Sequence, residues 1–148
     1  MKKLVLIILF LIITSACTNT KSNSSSSPTK ANVQRTDKLE AAVKVEVEQH
    51  HAHFLFSIKN ISDQALNLSF HTAQRFDYEI KDSQGRLVKK YSTGQMFAQV
   101  MDTISLKKGE VKQYKTIAQA LSPGTYHLTM WLNDQAYKPR VSTLFTIK

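Results

Sequence analysis

Two hydrophobic rhythms divide the chain. The first is a single unbroken apolar run, Leu4 to Ile13, preceded by Lys2 and Lys3 and followed by Thr14-Ser15-Ala16-Cys17. A membrane-spanning helix needs about 20 apolar residues, and this run is about half that, the length of a signal-peptide core. The second rhythm begins at Leu39 and has a period of two, as in strands with one buried face. Val43, Val45 and Val47 alternate with Lys44, Glu46 and Glu48, and after a break at Gln49 to Ala52 the residues Phe54, Phe56 and Ile58 alternate with Leu55, Ser57 and Lys59. Leu66, Leu68 and Phe70 continue the pattern, then Phe76, Tyr78 and Ile80, Val111 to Ile117, Tyr126 to Leu132, and Val141 to Ile147. Turn chemistry separates these sets at Asn60-Ile61-Ser62-Asp63, Asp82-Ser83-Gln84-Gly85, Lys108-Gly109 and Ser122-Pro123-Gly124. No helical period appears. The segment from Ser92 to Thr103 is long and lacks alternation. The pattern predicts an all-β fold, an immunoglobulin-like antiparallel β-sandwich of about eight strands, with a small closed barrel as the alternative.

Between the two rhythms, Thr18 to Asp37 is rich in Ser, Thr, Asn and Lys and includes Ser24-Ser25-Ser26-Ser27. Such a composition cannot bury apolar surface, so residues 17–37 are expected to form a disordered tether with a span of roughly 25 Å. The expected organisation is a signal peptide over 1–16, this tether, and a folded domain over 38–148. Cys17 is the only cysteine, so the domain must be stabilised by core burial without a disulfide.

The placement of Cys17 directly after Ser15 and Ala16 resembles the lipobox of bacterial lipoproteins, although Thr14 stands where Leu is usual. The resemblance implies that Cys17 carries a diacylglycerol and becomes the first residue after cleavage. Two acyl chains at about 0.8 kcal/mol per buried methylene give stable attachment where one is marginal. The expected location is therefore the extracytoplasmic face of the cell membrane, lipid-anchored. The formal charge of +9 drops by two when Lys2 and Lys3 leave with the leader. That surplus favours anionic partners such as lipid headgroups or wall polymers. Export argues against nucleic acid, and so does the lack of aromatics interleaved with clustered lysines.

Candidate chemistry is sparse. His50-His51-Ala52-His53 contains a common metal ligand type, but consecutive residues of a strand point to opposite faces, and a polar hairpin explains them better. No serine sits in a nucleophile elbow, no Gly-rich phosphate loop occurs, and Asp77 and Glu79 are expected on the solvated face of one strand. Neither a catalytic residue, a metal nor a cofactor is expected. Trp131 is expected to pack across a sheet face.

Several short pieces together resemble the BsuPI intracellular proteinase inhibitor domain. They are Ser57-Ile58-Lys59-Asn60-Ile61-Ser62-Asp63, Leu66-Asn67-Leu68-Ser69-Phe70 and Ala73-Gln74-Arg75-Phe76-Asp77-Tyr78-Glu79-Ile80, followed by Asp82-Ser83-Gln84-Gly85, Tyr91-Ser92, Met96-Phe97-Ala98-Gln99, Leu106, Lys108-Gly109-Glu110 and Pro123-Gly124-Thr125-Tyr126. The similarity spans about Val43 to Leu132. It implies a sandwich fold and a protein-binding, proteinase-inhibitor type of function. Family members commonly carry tryptophans where this chain has Val88-Lys89-Lys90-Tyr91-Ser92, and the family's name refers to an inhibitor of a cytoplasmic serine proteinase, whereas this chain begins with an export signal. An extracytoplasmic serine proteinase or another protein is the partner implied. The alternative is an envelope lipoprotein that binds anionic wall polymers without inhibiting a proteinase. The Ser92 to Thr103 segment is the candidate contact loop, with Tyr91, Met96 and Phe97 as partner-binding residues, because aromatics and Met are favoured at interface cores. The competing reading is that Met96 and Phe97 plug one end of the sandwich.

Overall fold

The computed structural model describes residues 31–148. The expected signal peptide, Cys17 and the first part of the expected tether lie outside the described residues. Ten strands form two four-stranded antiparallel sheets and one two-stranded sheet, with no helix among the described residues. The strands are β1 (Asn32–Arg35), β2 (Leu39–Glu48), β3 (His51–Asn60), β4 (Leu66–Phe70), β5 (Phe76–Asp82), β6 (Leu87–Lys90), β7 (Asp102–Leu106), β8 (Val111–Ala118), β9 (Gly124–Leu132) and β10 (Arg140–Ile147). One sheet has the order β1-β2-β3-β8, the other β10-β9-β5-β6, and β4 pairs with β7.

The alternation read from the sequence is the alternation seen. Val43, Val45, Phe54, Phe56 and Ile58 of the first sheet face Tyr78, Ile80, Leu128, Met130, Leu132 and Phe145 of the second, all buried. Phe54 meets Tyr78 and Phe145 edge-on, at centroid distances of 5.4 and 5.7 Å. Such edge-to-face pairs add about 0.5–1.5 kcal/mol each beyond the area they bury.

The strand order is immunoglobulin-like. The chain crosses between the two sheets from β3 to β5, back from β6 to β8, and again from β8 to β9, so that β2-β3-β8 oppose β10-β9-β5-β6 in the manner of that sandwich. A further signature sits at the β8–β9 crossing. The Tyr126 hydroxyl donates to the Ser122 carbonyl at 2.8 Å, a tyrosine corner that ties the start of β9 to the preceding bend. Asn60 closes the opposite end. It is fully buried, its amide donates to the Gln64 and Leu106 carbonyls, and its side-chain oxygen accepts from the Ser62 N–H and hydroxyl. With every polar atom partnered, burial of this side chain fixes the turn at little cost.

Ten strands replace the eight expected. The strands that the period-two reading passes over are short: β1 and β6 have four residues with no alternating burial, and β7 has five at the end of the segment that lacks alternating hydrophobicity. β1 also shortens the expected tether. Asn32 to Arg35 pairs with Val43 to Glu40 of β2, and the Asn32 amide donates to the Ser142 carbonyl of β10. The four residues are exposed, Val33 included, and what holds them is main-chain pairing, which composition does not reveal. β1 thereby bridges the two sheets along one side. Along the other side β6 and β8 are both edge strands, and Lys89 of β6 donates to the carbonyl of Gln119, one residue past β8, at 3.3 Å.

Candidate functional site

The segment between β6 and β7, residues 91–101, is the long loop the sequence left without alternation. Its first residue is its foot. The Tyr91 ring stacks on Phe76 with a centroid separation of 4.8 Å and lies 5.5 Å from Tyr78, while the Tyr91 N–H donates to the Tyr78 carbonyl at 3.0 Å. Phe97 folds back onto Tyr91 at 5.9 Å. The loop thus has an aromatic base continuous with the core.

Asp77 holds the same base from below. The sequence placed Asp77 and Glu79 on a solvated face, and for Asp77 this is corrected: it is only 5% exposed. The Tyr91-Ser92 bend folds over the start of β5, and one Asp77 carboxylate oxygen accepts from the Tyr78 N–H at 2.8 Å and the Ser92 N–H at 3.1 Å. Glu79 is half-buried and pairs with Lys90 at 3.4 Å. The other end of the loop is held by Arg75. Its guanidinium pairs with Asp102, donates to the Thr72 carbonyl at 3.1 Å and lies 4.6 Å over the Phe70 ring. The Ala73 N–H donates to the Ala98 carbonyl at 2.9 Å within the loop. At the bend, Gly94 has a φ of +76°, a conformation that costs other residues about 1 kcal/mol or more.

Between these anchors the loop shows apolar side chains to solvent. Met96 is 99% exposed, Met101 78% and Val100 46%. The three residues singled out from sequence therefore divide: Tyr91 and Phe97 are brought together as the inner support, and Met96 stands outside. Val100 and Met101 were missed. Their signal was present in the same stretch, a second apolar pair with polar neighbours and no alternating partners, which is what an exposed apolar tip looks like in sequence.

The remaining candidates disperse. His50 points its Nδ1 to the Leu121 carbonyl at 3.2 Å, and His53 lies 3.7 Å from Glu48 across the hairpin. Among the described residues, no three His, Cys, Asp or Glu side chains come together as a metal cluster. Trp131 lies on the outer face of β9, with Arg140 4.9 Å and Lys90 5.7 Å over its ring. Tyr78 at the loop base ionises only at high pH: burial, followed by the neighbouring Tyr91 and Asp77, pushes its pKa up to about 12.

An immunoglobulin-like sandwich whose most prominent apolar feature is a doubly anchored loop has the anatomy of a protein-binding domain. Comparison with known families makes the class specific. The family model described as "Intracellular proteinase inhibitor" (BsuPI) matches residues 39–137, from the first residue of β2 to just short of β10. The chain belongs to the BsuPI intracellular proteinase inhibitor family. No curated protein matches its sequence. Among solved structures, the crystal structure of the yeast GGA1_GAE domain-P21 is similar with a TM-score of 0.34 and 11% identity, over 80% of this chain and 100% of that one.

Proposed function

We propose that this chain is a lipid-anchored, extracytoplasmic member of its family that binds a serine proteinase through the loop of residues 91–101. The observation that carries the reading is the contrast within that loop. Its base is fixed by Tyr91, Asp77 and Arg75, and its tip offers Met96, Val100 and Met101 to solvent. A loop that is rigid before it binds loses less entropy on docking, which is how inhibitors outcompete flexible substrates. Exposed Met and Val side chains gain apolar burial in a proteinase cleft, and a few such anchors carry most of an interface's energy. This is binding chemistry. It needs neither a nucleophile nor a cofactor.

Attachment rests on the apolar leader and on Cys17. An anchored inhibitor would protect the envelope from proteinases working beside it. The wall-polymer reading is favoured by Lys107, Lys112, Lys115 and Lys138, which have no carboxylate partner among the described residues. It leaves the anchored loop without a role.

The test is titration of the full chain against a purified secreted serine proteinase. Inhibition near one-to-one is expected, and the double variant Met96→Asp/Met101→Asp should weaken it at least about tenfold while melting at the wild-type temperature. Full inhibition by the double variant would place the contact elsewhere, and no inhibition by the wild type would refute the proteinase reading. Separately, radioactive palmitate should label the chain and fail to label Cys17→Ala. An unlabelled wild type would remove the anchor.

A further inference from the structure

The two long sides of the sandwich are finished differently. Along one, β1 pairs with β2 and reaches β10, so the gap between the sheets is bridged. Along the other, β8 ends its sheet with its outer edge bare. Its eight residues pair with β3 alone, and no other backbone hydrogen bond reaches Val111 to Ala118 among the described residues. About half of its N–H and C=O groups therefore point away from the sheet. Beside this edge lies a groove of about 280 Å³ lined by Tyr78, Lys89, Lys90, Tyr91, Ile117 and Gln119 among others.

The two edge strands on this side carry charge of one sign. β8 carries Lys112 and Lys115, β6 carries Lys89 and Lys90, and neither strand contains an acidic residue. Lys112 shares the inward parity of Tyr114 and Lys115 the outward parity of Ile117, so the cations flank the edge on both faces. Of these four lysines, only Lys90 has a carboxylate partner among the described residues, Glu79. A second copy of this chain is a poor occupant, because antiparallel pairing of two β8 edges would put four lysines and no carboxylate on the paired strands. A strand bearing carboxylates gains where the self-pair loses.

We propose that the bare edge of β8 accepts an extended acidic peptide segment of another protein as an added strand, with Lys89, Lys112 and Lys115 facing its carboxylates. Main-chain pairing supplies the affinity common to strand addition, and the lysines supply the selection for acidic sequence. The groove adjoins the proteinase-binding loop through Tyr91, Thr93 and Gln95, but the added strand uses neither Met96 nor Met101, so either reading can fail without the other.

The probe is a fluorescein-labelled eight-residue peptide of glutamate, threonine and valine, with glutamates on both faces, titrated into the full chain at low salt. Saturable binding is expected. It should fall at least about tenfold with Lys112→Glu/Lys115→Glu and also when alternate amides of the peptide are N-methylated. Both lysines are exposed, and a circular dichroism melt checks that the variant folds. Glutamate-to-lysine exchange in the peptide should abolish binding. Two results overturn the proposal: no saturable binding, or N-methylated peptide and inorganic polyphosphate that compete as well as the parent, which would reduce the surface to a site for polyanions.

Discussion

Replacing Asp77 by Ala removes one carboxylate that two main-chain N–H groups share, and both groups lie under the loop base. The Tyr78 N–H at 2.8 Å and the Ser92 N–H at 3.1 Å would lose their acceptor in a place where Asp77 itself is only 5% exposed. A hydrogen bond to a charged group contributes about 1.5–3 kcal/mol, and a buried donor left alone costs a similar amount. Because the two bonds share one acceptor and the loop can relax, a loss of about 3 kcal/mol is expected. For a domain of this size that lowers Tm by roughly 10 °C. Asp77→Asn keeps a side-chain oxygen in place and should cost about 1 kcal/mol, the difference between a charge-assisted and a neutral bond. Urea denaturation gives both values. Amide hydrogen exchange then locates the effect, which should be greatest at Ser92 and Gln95 and small in β3. An Ala variant within about 0.5 kcal/mol of wild type would refute the idea that this buried carboxylate holds the loop.

Two further predictions concern the tyrosines. The Tyr114 hydroxyl is buried with no partner among the described residues, so Tyr114→Phe should leave stability unchanged or raise it by about 1 kcal/mol in urea titration. A loss above about 1 kcal/mol would mean that the hydroxyl is hydrogen-bonded in solution. Tyr78 should make the fold sensitive to alkali. The unfolded chain releases that proton near pH 10 and the folded chain near 12, so this contribution is complete below pH 10 and is lost as the pH rises towards 12. Urea midpoints at pH 9 and 11 should differ less in Tyr78→Phe than in the wild type, and equal differences would refute the assignment.

The long strands were legible because each has one wet and one dry face. Val43 and Val45 between Lys44 and Glu46, or Phe54 and Phe56 around Leu55, announce both strand and core. β1 and β6 were not legible, since strands held by main-chain pairing at a sheet edge place few side chains in the core and need no pattern. Asp77 shows a second blind spot. It occupies an outward position of β5, and its burial comes from Ser92, fifteen residues away, folding over it. The loop itself was found by its failure to alternate, yet only contact could separate Tyr91 and Phe97, which brace it, from Met96, Val100 and Met101, which face outward.

The direction of β1 gives the molecule a polarity. β1 runs antiparallel to β2, so the chain arrives from the side of the Gln49–His50 hairpin and travels towards the end where Lys38 covers Tyr137. Phe76, Tyr91 and the loop sit at that far end, since Phe76 pairs with Leu132 just ahead of the bend leading to Tyr137. On the lipid anchoring proposed above, that polarity puts the methionine-tipped loop at the end of the domain away from the side on which β1 begins.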